Sequence, residues 1–227
     1  LLRVYVVLPP APPGPGARDG GGFGPGHIAA LSDALRDGGR ALFLACYGEM
    51  RQMGFWAPPM RLPYGWNDYL AEEWGLVALT EFRLIQGIPD KEEGKFGVNA
   101  ERYYWMRLNH FNDKNPVGRP LDARRVLLVD ACPVEKADRT PEGVTYETIL
   151  DVPYNDRSIW ATTRDVRGIV RELYTSGKVT VTPDQGGGTG DKIPPMDVMV
   201  QAVREPTEEG QTEKSMIIVF GEGRIQA

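Results

Sequence analysis

The chain has 227 residues, 41% of them hydrophobic and 25% charged, with a formal net charge of −5. This is room for one good hydrophobic core, or for a main domain with a smaller appendage. A mildly acidic chain without a lysine or arginine block argues against a nucleic-acid partner. No apolar run reaches the ~20 residues a membrane helix needs, so direct membrane insertion by this segment is not expected.

The sequence opens without methionine, inside the strand-like run LLRVYVVL, and ends just after another. It reads as a single α/β domain excised from a longer chain, residues 1–135 forming its core and 136–227 a β-rich part of the same domain. Leu2 to Leu8 is apolar and β-branched, and Pro9–Pro10 ends it because proline has no N–H for a ladder. APPGPGARDGGGFGPG holds so much proline and glycine that it can only be an exposed loop. Ile28, Leu31 and Leu35 recur at helical spacing, Gly38–Gly39 closes that helix, and Ala41 to Ala45 suits a strand covered on both faces.

The aromatic-rich connection FWAPPMRLPYGW follows. Asn67 then opens a helix with Tyr69, Leu70 and Trp74 on one side and Gly75 as its stop. Leu76 to Ile85 reads as a strand, Arg102 to Phe111 as a half-exposed strand, and RRVLLVDACPV as a second buried one. Further on, YETILDV and KVTVTP are short strands, with Val166, Ile169, Val170 and Leu173 marking a helix between them. MDVMVQAVRE and SMIIVFGEG are two last strands joined by the polar EPTEEGQTEK. Together these predict a mainly parallel central sheet flanked by helices, with extra β structure at the C-terminal end.

Several features coincide in a characteristic order: Gly38–Gly39 before ALFLA, the helix LAEEWG from Leu70 to Gly75, NHFNDKNPVGRPL, ETILDV, and Val219 to Glu222 closing the last strand. In that order they resemble the extracytoplasmic domain of gliding-motility and ABC-transport auxiliary proteins. That domain is shared with an intraflagellar-transport subunit (the GIFT domain) and is similar to the class I glutamine amidotransferase-like, flavodoxin-like fold. Asn115–Pro116 stands where that family commonly has histidine before proline. The resemblance implies a non-catalytic binding or assembly domain of a membrane-associated transport or motility system, on the extracytoplasmic, periplasmic side of a membrane-anchored protein. It would present the loop edge of its sheet to a protein, peptide or glycan partner.

The candidate chemistry is sparse. Cys46 and Cys132 fit neither a disulfide framework nor a metal site, and two histidines, His27 and His110, cannot assemble a standard zinc site. No cofactor or metal is expected. LACYGE is similar to the nucleophile elbow of amidotransferase-like enzymes, which makes Cys46 the candidate nucleophile, with His110 as its base and Asp113 as the orienting carboxylate. Leu44 stands where an elbow expects glycine, and the competing reading is a small buried thiol. Glu49, Glu72, Glu73, Asp113 and Asp130 offer carboxylates for glycoside hydrolysis, but their spacing does not bring them together. GGGTGD runs on into a strand, not a helix, so it is no phosphate cradle. Glu49, Phe55, Trp56, Tyr64 and Trp66 are the candidate ligand-binding residues, within an aromatic group dense enough for a peptide or sugar patch. The alternatives are therefore a cysteine-dependent hydrolase or amidotransferase using Cys46 and His110, and a carbohydrate-binding domain.

Overall fold

The computed structural model describes residues 4–7, 24–36, 38–45, 50–52, 59–61, 65–89, 95–97, 105–121, 125–164, 166–184, 190–206 and 212–222, with backbone alone at 50–52, 59–61, 66, 89, 96, 105, 166 and 167. Strand β1 (Val4–Val7) alternates, turning Tyr5 and Val7 inward and Val4 and Val6 outward. Helix α1 (Pro25–Leu35) begins at a proline, whose missing N–H costs nothing in a first turn. It buries Leu31 and Leu35, with Ile28 beside them. Gly38, at φ +71°, leads the chain out of the helix. Strand β2 (Arg40–Leu44) then pairs parallel with β1.

Strands β3 (Met50–Gln52) and β4 (Pro59–Arg61) form an antiparallel pair. Helix α2 (Trp66–Tyr69) runs into a π-helical turn, Leu70–Trp74, that ends at Gly75 in the left-handed conformation. Asn67 does more than begin this helix. Its amide exchanges two 2.9 Å hydrogen bonds with the backbone of Ala78, as a neighbouring strand would.

The stretch read as one strand from Leu76 breaks at Thr80–Glu81 into β5 (Leu76–Ala78) and β6 (Arg83–Gln86). Strands β7 (Ile88–Pro89), β8 (Lys95–Gly97) and β9 (Trp105–Leu108) follow. RRVLLVDACPV likewise divides, because Asp130 takes φ 57° between β10 (Val126–Val129) and β11 (Val134–Lys136). After these come β12 (Val144–Val152), β13 (Ile159–Thr162), α3 (Val166–Ser176), β14 (Val179–Thr180), β15 (Met196–Arg204) and β16 (Ser215–Phe220).

The main sheet has the order β1-β2-β16-β15, with β12 on the far edge of β15. Strand β11 continues the line of β16 along β15 and carries β5 beside it. Gly221 makes that join possible: a Cβ there would overlap the Cys132 carbonyl, and the backbones exchange Cys132 N–H to Gly221 O at 2.8 Å. One face of the sheet packs Phe43, Val200, Ile217 and Val219 against α1, Leu70 and Trp74. The other face packs Met199 and Val198 against Met106, Leu128 and Leu84, from the antiparallel pairs β9–β10 and β6–β13. Helix α3 lies beyond, on Ile85 and Trp160.

The helix-flanked, mainly parallel α/β sheet expected from the sequence is therefore corrected. Strand takes up 42% of the described residues and helix 21%, in a curled mixed sheet. Among the described strand pairs only β1–β2 and β2–β16 are parallel. The physical reason lies in the connections. A parallel neighbour needs a long crossover such as the one holding α1, whereas the short link between β15 and β16 returns the chain antiparallel. The second face is covered by strands instead of helices.

Candidate functional site

His110 leaves β9 and crosses the free edge of β12. Its Nδ1 is paired with the Asp151 carboxylate, and the imidazole is otherwise largely exposed. The structure thus gives His110 a carboxylate, but it is Asp151 and not the predicted Asp113, which is exposed on the turn beyond. Cys46 and Glu49 lie outside the described residues, as do Phe55, Trp56 and Tyr64, and only the backbone of Trp66 at the start of α2 is described. Cys132, the other thiol, is wholly buried in the core.

The remaining carboxylates stand apart. Asp130 is buried against Arg83 Nε at 3.1 Å, and the Glu73 carboxylate lies 3.5 Å from Arg204. Arg204 also donates to the Glu73 carbonyl and stacks 4.5 Å from the centre of the Trp74 ring, which ties the LAEEWG turn to β15.

Beside His110, Asp151 and Asp197 face each other across β12 and β15. Burial raises the Asp197 carboxyl above its ordinary value. The hydrogen bond from Thr148 Oγ1, at 3.0 Å, opposes that rise, and the neighbouring Asp151 charge adds to it. Asn115 is fully buried on the opposite face of β12. Its Nδ2 donates to Glu147 at 2.8 Å and to Gln201 at 3.4 Å, while its Oδ1 accepts from Val117 N–H at 2.8 Å. Asn112 donates to the same Glu147 and to the Thr148 carbonyl. NHFNDKNPVGRPL therefore clamps the β12 edge from both faces. The side chains of His110, Asn112 and Asn115 are taken up by β12 and β15 and do not converge on an open site.

The apolar surface left open lies at the other edge. Register places Val4, Arg40, Met216 and Val203 in one row across β1, β2, β16 and β15, and Val6, Leu42, Ile218 and Gln201 in the next. These rows share the face whose far half is covered by β9–β10 and β6–β13. Val4 and Val6 remain 57% and 56% exposed, and Leu42, Met216, Ile218 and Val203 are half-buried. Between Val4 and Met216 the Nε of Arg40 is shielded from solvent and has no hydrogen-bond partner. None of these residues stood out in the sequence as functional. VYVV is apolar at every position, so its sequence carries no signal of an uncovered face, and the alternation appears only in the burial of the folded strand.

No protein-family model matches the chain, and no curated protein matches it. Among solved structures it is similar to one titled "mmIFT52 N-terminal domain", at 11% identity and a TM-score of 0.46, over 98% of this chain and 66% of that one. The printed title names an intraflagellar-transport domain, one of the groups that the sequence resembles.

Proposed function

We propose that this chain is a non-catalytic binding or assembly domain that takes a protein or peptide partner on the open rows beside β1. The observation that carries the reading is the pair Val4 and Val6, more than half exposed on a sheet face whose far half is packed. A sheet buries its apolar face against another layer, so an uncovered stretch that carries Arg40, unpaired with any carboxylate among the described residues, suits an absent partner. The setting in a membrane-associated transport or motility system, on its extracytoplasmic side, comes from the sequence resemblance alone. The test is selection of a displayed peptide library on the purified chain. Selected clones should lose about tenfold or more in affinity on Val6→Lys, the scale of a desolvated contact at an interface, and keep it on Leu127→Lys, an exposed site on β10. Clones indifferent to Val6→Lys would place the binding surface elsewhere.

The cysteine-hydrolase alternative is favoured by one specific feature, the Asp151 carboxylate that holds the His110 imidazole. It requires the Cys46 thiol to be activated by His110. Alkylation of Cys46 by iodoacetamide would then be fast near neutral pH and would slow in His110→Ala. Equal rates in the two proteins would dispose of it.

A further inference from the structure

Strand β1 ends the sheet, and among the described residues no strand pairs with its outer edge. Natural sheets protect such edges with charges, prolines or bulges. VYVV has none of these, and its pairing with β2 is regular from Val4 to Val7. The face it extends is the one carrying Arg40, whose Nε is shielded and unbonded. Among the described residues no carboxylate pairs with Arg40, and a carboxylate is the group that complements a guanidinium best.

Resting on the binding reading above, we infer that the partner is an extended segment that adds to β1 as a further strand, with apolar residues at alternate positions and a glutamate or aspartate opposite Val4. Its backbone would satisfy the free ladder of β1, and its apolar side chains would cover Val4 and Val6. Neighbouring strands lie ~4.8 Å apart, so a residue opposite Val4 sits ~9.6 Å from Arg40 in the same row. An arginine and a glutamate side chain lying toward each other over Val4 span that gap. A second copy of the chain fits less well, because two β1 strands paired together bring no carboxylate to either Arg40.

The test uses fluorescein-labelled hexapeptides of alternating valine and threonine, with Glu, Gln or Lys replacing one valine, titrated by anisotropy against the purified chain. The Glu peptide should bind about tenfold more tightly than the Gln peptide, the worth of a charge-assisted hydrogen bond, and the Lys peptide should be weakest. Arg40→Glu should reverse that order. This charge scan needs no protein variant, so a poorly folded Arg40→Glu protein does not remove the test. N-methylation of alternate peptide amides should abolish binding, because it blocks the ladder.

Binding that is lost on Val6→Lys yet blind to peptide charge and to N-methylation would overturn strand addition while leaving the binding reading in place. No saturable binding of any hexapeptide would also overturn it, with the display selection still reporting on the broader reading. A concentration-dependent dimer in sedimentation that Val6→Lys dissociates would assign the edge to a second copy and overturn the partner strand.

Discussion

Arg83 and Asp130 sit with 10% and 4% of their side chains exposed, Nε to carboxylate at 3.1 Å. Asp130 also holds a left-handed backbone, φ 57°, which aspartate tolerates better than most residues. The pair fixes the kink between β10 and β11 against the start of β6, where Leu84 N–H donates to the Ala131 carbonyl at 2.9 Å. Arg83→Ala would leave a buried carboxylate without its cation, and urea denaturation should show a loss of about 3–5 kcal/mol. A loss below about 1 kcal/mol would mean that water already reaches Asp130.

Asp197 gives the opposite sign. Its carboxyl is raised by burial first and by Asp151 next, with Glu135 adding to the rise and Lys136 and the Thr148 hydroxyl opposing it. Because the folded value lies above the unfolded one, the protonated form is favoured by folding. That contribution is complete below the ordinary carboxylate range and is lost as pH rises through the folded value. Asp197→Asn keeps an oxygen for Thr148 and removes the charge. Its melting temperature relative to the parent should therefore be higher at pH 7 than at pH 3.5. A difference independent of pH would contradict the assignment.

At the scale of elements, the segment after β9 is held to β12 by backbone, packing and side chains together. Asn112 N–H to Ile149 O and Asp151 N–H to His110 O set the register around the Phe111–Leu150 bridge, Phe111 packs in the core, and the Asn112 and Asn115 amides bind Glu147, Thr148 and Gln201. Asn115→Ala orphans the Val117 N–H and one Glu147 oxygen together. It should cost about 1–3 kcal/mol and speed amide exchange at Val117 and Gly118, read by exchange mass spectrometry or NMR. Unchanged exchange at those amides would show that Pro116 and the following turn hold themselves. Asparagine serves here because its one amide donates to both Glu147 and Gln201 and accepts from its own turn, whereas a neutral imidazole has a single N–H to give.

For the whole molecule, the sheet is unequally covered. Strand β15 is paired on both sides and packed on both faces, β16 lies between β15 and β2, and among the described residues β1 has no strand on its outer edge and leaves Val4 and Val6 exposed. Local stability follows coverage. Amides of β15 and β16 should exchange slowest, and those of β1 fastest among the strands of the main sheet. Equal protection of β1 would mean that its outer edge is already satisfied, which would weigh against strand addition.

The helical spacing of Ile28, Leu31 and Leu35, the stops at Gly38 and Gly75, and the strands at YETILDV and MDVMVQAV were legible because each depends on near neighbours in the chain. Val219 to Glu222 could be picked out as a motif, yet its reason is tertiary. Gly221 admits the Cys132 carbonyl, and Glu222 accepts the Val129 N–H at 2.6 Å. Strand direction was not legible, since an apolar run such as ALFLA is the same in a parallel or an antiparallel sheet. Nor was the cover on the second face, or the choice of Asp151 over Asp113 for His110: sequence spacing says nothing about which strand edge a segment crosses. Local pattern determined where the chain turns and which side of each element is apolar. Long-range pairing alone decided which of those apolar sides found a cover, and left Val4 and Val6 without one.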